Sequence, residues 1–100
     1  MALNASNSEL SRIVKAVQSP DWAVETGDGN SIVATRDSGV DGMPYVVVFR
    51  RGGRGYRASL YMPGDDITVE GLEIGEVSGN PRDIGRQIRD VLDEADLSGN

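Results

Sequence analysis

The sequence predicts an α+β fold. The expected form is a two-layer sandwich in which an antiparallel β-meander of 4–6 strands carries an N-terminal and a C-terminal helix on one face, in the order α-β-β-β-β-(β-β)-α. Three features predict it. Apolar residues recur at helical spacing only near the two ends of the chain. Between them, apolar residues alternate in short runs broken by Gly, Pro, Asn and Asp. Eleven valines against five aromatics suit strands that pack through aliphatic side chains. One hundred residues fit one α+β domain, 1–100, with 1–5 and 97–100 as frayed tails.

The first helix is expected from about Asn7 to Gln18. Ser6 and Glu9 have the spacing of a capping box, and Leu10, Ile13, Val14 and Val17 fall on one stripe. Pro20 ends it, because the residue before a proline avoids helical angles. Next, "DWAVETGDGNSIVATRD" reads as a hairpin with Asp28-Gly29 at the turn, so that Val24 faces Val33 and Trp22 faces Thr35. "DSGVDGMP" reads as a connector. Asp37, Asp41 and Gly42 sit at the first, fifth and sixth places of a calcium loop, but Val48 stands where the bidentate Glu is needed.

"YVVVFRRGGRGYRASLYM" is the central hairpin. With Gly52-Gly53 as the turn, Phe49 opposes Tyr56, Val47 opposes Ala58 and Tyr45 opposes Leu60, making one apolar face. Val46, Val48, Arg50, Arg57, Ser59 and Tyr61 occupy the other. Pro63-Gly64-Asp65-Asp66 is a turn. In "ITVEGLEIGEV" the alternation slips at Gly71, which fits either two short strands or one bulged strand. The last helix has Asn80 as its cap, Pro81 at its first position, and Ile84, Ile88, Val91, Leu92 and Ala95 as its stripe. Gly85 costs this helix about 1 kcal/mol relative to Ala, and a close approach to the sheet is the expected reason.

Composition excludes much chemistry. Without Cys there is no disulfide, thiolate nucleophile or thiolate metal site. Without His the usual general base near neutral pH is missing. Carboxylates remain, at Asp37, Asp41, Asp65, Asp66, Glu70, Glu73 and Glu76, but in turns and solvated strand positions. The chain is therefore expected to be no enzyme, with no catalytic residue, no cofactor and no metal. No apolar run reaches the roughly 18–20 residues of a membrane span, and "MALNASNSEL" has neither the basic nor the apolar region of a signal peptide. A cytoplasmic protein is expected, with no membrane partner. Nine Arg against one Lys point to a GC-rich bacterial or phage genome.

The basic knot "RRGGRGYR" holds four of the ten basic residues of a chain with net charge −6. Gly53, Gly55 and Ala58 match the spacing of a dinucleotide-binding loop, which must open a helix; the run that follows is short and alternating. Arg54, Gly55, Tyr56 and Tyr61 match part of an RNA-recognition strand motif, but Ala58 replaces its second stacking aromatic. Phosphate contact by the hairpin at 50–57 is the alternative reading, opposed by six basic and sixteen acidic residues elsewhere. Pairing of Arg50 and Arg57 with Glu25, Glu70, Glu73 or Glu76 on neighbouring strands is simpler.

The expected function is that of a small acidic protein-binding module, an adaptor, regulator or inhibitor, with a homodimer among its forms. Its expected contact residues are Val46, Val48, Arg50, Arg57 and Tyr61 on the sheet face turned away from the helices, with Arg51 and Arg54 at the hairpin tip. A second candidate surface is the run from Asp65 to Glu76, with five acidic residues and no basic one, suited to a basic partner or to imitating a phosphate backbone.

Overall fold

Each alternating run of the sequence pairs with the next one along the chain. The computed structural model describes residues 2–17, 21–27, 30–39, 42–52 and 55–98. Helix α1 (Ala2–Val17) is followed by β1 (Ala23–Gly27), β2 (Ser31–Arg36), β3 (Tyr45–Gly52), β4 (Gly55–Tyr61) and β5 (Leu72–Ser78), then by α2 (Pro81–Ser98). The strands form one open antiparallel sheet in the order β1-β2-β3-β4-β5. The fold is thus the expected α+β meander, with five strands. α1 begins five residues before the expected Asn7, so Ser6 lies inside the helix rather than at its cap. Gln18 and Pro20 lie outside the described residues.

Both helices face one side of the sheet. Leu10, Ile13 and Val17 of α1 and Ile84, Ile88 and Leu92 of α2 are buried with Trp22, Ile32, Ala34, Val47, Phe49, Tyr56, Ala58 and Val77 in one core. α1 lies against β1, and α2 against β5 and β4. The α2 start is as expected: the Asn80 side chain accepts from the Asp83 N–H at 3.0 Å, and its carbonyl from the Ile84 N–H at 2.9 Å. Gln87 ties this helix to the end of β5, accepting from the Ser78 N–H at 3.2 Å and donating to the Ser78 carbonyl at 2.6 Å. Gly85 serves a different contact from the one expected. A Cβ there would meet the Ala16 Cβ at 2.5 Å, so its missing side chain lets α2 cross α1, not the sheet.

Two registers differ from the sequence reading. β1 pairs with β2 through Val24↔Ala34 and Glu25↔Val33, closing at Gly27↔Ser31. Three residues, 28–30, therefore connect the strands instead of two, with Asn30 in the left-handed region at φ 61°. Asp28 and Gly29 lie outside the described residues. A one-residue slip exchanges the faces of a strand. Here it turns Ile32 and Ala34 to the helices and leaves Val33 on the reverse side. In the central hairpin Phe49 pairs with Ala58, Val47 with Leu60 and Val46 with Tyr61, closing at Gly52↔Gly55. That is a shift of two, so partners change and faces do not. Gly53 and Arg54, between the paired Gly52 and Gly55, lie outside the described residues. Gly55 is fixed by packing, because a Cβ there would strike the Val77 carbonyl.

Of the two readings of the run after Tyr61, the structure has the single bulged strand, but a shorter one with its bulge at Ile74 instead of Gly71. Only Leu72–Ser78 is strand, with a bulge: Ala58 pairs with Gly75 and Ser59 with Glu73, leaving Ile74 unpaired. Residues 62–71 form a connection made of turns.

Candidate interaction surface

The sheet face away from the helices carries Val33 on β2, Val46, Val48 and Arg50 on β3, Arg57, Ser59 and Tyr61 on β4, and Glu73 and Glu76 on β5. Of the residues expected to form an open contact patch, Tyr61 is only 2% and Val48 only 4% exposed, and Val46 and Arg50 are half-buried. Neither α1 nor α2 covers this side. The chain's own segment 62–71 folds back against it, joined to the sheet by side chain to backbone hydrogen bonds.

Arg50 and Tyr61 make that joint. The Tyr61 hydroxyl donates to the Val69 carbonyl at 2.6 Å and accepts from Arg50 Nη1 at 2.8 Å. Arg50 Nη2 donates to the Ile67 carbonyl at 2.6 Å, and the guanidinium carbon lies 5.6 Å from the centre of the Tyr61 ring. The fork of a guanidinium lets one cation hold a hydroxyl and a carbonyl together. Gly71 completes the closure: a Cβ there would come within 2.8 Å of Tyr61 Cζ, so only glycine lets the backbone lie on the ring.

The segment also braces itself. The Met62 N–H donates to the Asp65 carboxylate, and the Asp65 N–H to the Met62 carbonyl, each at 3.0 Å. Gly64, at φ 89°, occupies the middle of this turn. Asp66 accepts from the Thr68 hydroxyl at 2.6 Å and from the Thr68 N–H at 2.9 Å. The hydroxyl bond first, and the amide bond second, hold the Asp66 carboxyl below the usual aspartate range.

Arg57 and Arg51 of the knot also meet their own chain. Arg57 approaches Glu76 at 3.5 Å and Glu73 at 3.9 Å, the cross-strand pairing expected for it; these exposed pairs are worth about 0–1 kcal/mol each. Arg51, exposed, reaches over Tyr56 with its guanidinium carbon 5.6 Å from the ring centre and Nη1 3.4 Å from the hydroxyl. Arg54 lies outside the described residues. The stretch from Gly55 is strand β4, not the helix a dinucleotide loop must open. In the connector, Asp37 accepts from the Gly39 N–H at 2.9 Å as an ordinary turn residue, while Asp41 lies outside the described residues.

The exposed apolar side chains gather elsewhere. Among the described residues the large hydrophobics left open are Met43 (47%), Met62 (52%), Ile67 (41%), Val69 (55%) and Leu72 (68%). Met62, Val69 and Leu72 line one groove of about 320 Å³ with Asp65, Asp66 and Glu70. The Met43 sulfur lies 3.8 Å from where a Gly64 Cβ would be, beside the same turn. The sequence singles out the acidic run but not its apolar neighbours Ile67, Val69 and Leu72, because a strand over 67–77 implies that alternate residues are buried. The slip of alternation at Gly71 was the available signal. A smaller groove of about 200 Å³, lined by Arg50, Arg51, Arg57, Glu70 and Glu73, adjoins at Glu70 and Gly71.

Among the described residues no three His, Cys, Asp or Glu side chains are grouped to hold a metal ion, and no helix is long and apolar enough to cross a membrane. The fold and this surface define a class: an open α+β sandwich presenting an apolar groove with an acidic rim. Comparison with protein-family models, with curated proteins and with solved structures returns no match.

Proposed function

We propose that this protein is a small, acidic, non-enzymatic binding module that acts by protein–protein contact through the groove of residues 62–72. One observation carries the reading: among the described residues, the large apolar side chains left open to water are concentrated on this segment and the Met43 beside it. Single exposed hydrophobics are common, but a contiguous group with a polar rim marks interaction sites. The segment is held against the sheet by Arg50 and Tyr61, so it is presented in a fixed shape. On this reading Val46, Val48 and Arg50 support the contact surface from beneath, while Tyr61 both borders the groove and fastens its segment to the sheet.

Site-specific photo-crosslinking tests the reading. A benzophenone amino acid is placed at Leu72, or at Glu25 on the far edge strand, and the protein is expressed in its own host. A discrete adduct from position 72 that is absent from position 25 is the expected result. Equal labelling at both positions, or none at 72, refutes the groove as the docking surface.

A further inference from the structure

Resting on the reading above, we infer that the groove takes a cationic, apolar-anchored polypeptide segment of another protein: one with at least two large aliphatic side chains flanked by Lys or Arg. Apolar wall and anionic rim are parts of the same groove, since Met62, Val69 and Leu72 line it together with Asp65, Asp66 and Glu70. Beyond it, Glu73 and Glu76 continue the acidic run along β5, and no basic residue occurs from Asp65 to Glu76. Asp66 keeps its charge through its bonds from Thr68. Arg57, between Glu73 and Glu76, neutralises part of this rim on the sheet side, and Arg50, Arg51 and Arg57 line the adjoining groove that Glu70 borders. Asp65 and Asp66, on the side away from these arginines, carry the anionic rim of the groove.

Charge selects among occupants. A second copy of the chain would bring the same acidic rim and a net charge of −6 against its twin, so self-association through this groove opposes like charges. A nucleic acid would meet the same repulsion. A cationic segment is attracted, and its aliphatic side chains find Leu72 and the flexible thioether of Met62, a side chain that adapts to irregular partners. At the edge of the sheet, the β5 bulge and its glutamates disfavour an added strand, which leaves side chains as the means of recognition.

The probe is a 16-residue synthetic peptide with Leu at helical spacing and Lys between, set beside the same peptide with Glu for Lys. Binding is followed by amide chemical shifts of the full chain. The Lys peptide is expected to shift the amides of Met62, Val69 and Leu72 first, and the Glu peptide to shift none of them. Leu72→Ser, at a position already two-thirds exposed, should leave the spectrum folded and weaken the Lys peptide about tenfold or more. Glu70→Gln should weaken it about threefold. Shifts centred elsewhere, equal binding of the Glu peptide, or no effect of Leu72→Ser each overturn the inference. If the peptide fails while position 72 still crosslinks to a protein in the host, the groove stands and its partner has other chemistry. If both fail, the groove itself falls.

Discussion

Replacing Tyr61 with Phe removes one oxygen that joins two parts of the molecule. That oxygen donates to the Val69 carbonyl at 2.6 Å and accepts from Arg50 at 2.8 Å. A neutral hydrogen bond contributes about 0.5–1.5 kcal/mol and one to a charged group about 1.5–3 kcal/mol. Both figures must be reduced here. Val69 is exposed, so water can take over its carbonyl, and Arg50 keeps its second bond to Ile67. The ring still fills its place under Gly71, so no cavity opens. The expected loss is about 1–2 kcal/mol, a fall of roughly 1 M in the urea midpoint for a slope of about 1–2 kcal/mol/M. Hydrogen exchange should quicken in 62–71 more than in β3. A double-mutant cycle with Arg50→Met isolates the shared bond, with a coupling of about 0.5–1.5 kcal/mol expected. Strictly additive losses, or a Tyr61→Phe variant within about 0.3 kcal/mol of the parent with unchanged exchange, would refute this account of the joint.

Two further substitutions test other parts of the fold. Gly85→Ala should gain about 1 kcal/mol of helix propensity but lose about 1–3 kcal/mol to overpacking, since the new methyl would start 2.5 Å from Ala16 Cβ. Thermal unfolding should therefore show a net loss, eased by adding Ala16→Gly; a raised melting temperature for Gly85→Ala alone would mean that the helices do not cross there. Thr68→Val removes the main cause of the lowered Asp66 pKa, so an NMR titration should find that carboxyl moved up toward the usual aspartate value. A carboxyl lowered by folding contributes stability above its unfolded pKa, about 3.9, and loses it as pH falls through the folded value. The stability difference between parent and variant should accordingly narrow below about pH 4, and a difference constant down to pH 2 would contradict the assignment.

What the sequence disclosed follows from how local each determinant is. The stripes Leu10-Ile13-Val17 and Ile84-Ile88-Leu92 are written within single helices, and both are buried as expected. Asn80 caps α2 with atoms three residues away. Strand parity in the central hairpin survived an error of two in register, because a shift of two returns every side chain to its own face. The β1–β2 register did not survive, since a left-handed Asn30 lengthens the turn by one residue. The candidate site was least legible. Its shape depends on Arg50 reaching a carbonyl seventeen residues along the chain and Tyr61 one eight residues along, and neither span leaves a periodic trace. Tyr61 and Arg50 looked like outward anchors because their type suits an interface; the same aromatic and guanidinium chemistry serves here to fasten a loop.

Trp22 offers a practical return from the meander. It is the sole tryptophan, 5% exposed within the core, with no hydrogen-bond partner for its indole N–H among the described residues. It stands just before β1, and four strand spacings, roughly 19 Å, separate β1 from β5 and Leu72. Its fluorescence should therefore be blue-shifted and should report melting while staying indifferent to a ligand docked on the opposite border. Nature has thus supplied an optical gauge of integrity that a titration of the groove leaves undisturbed.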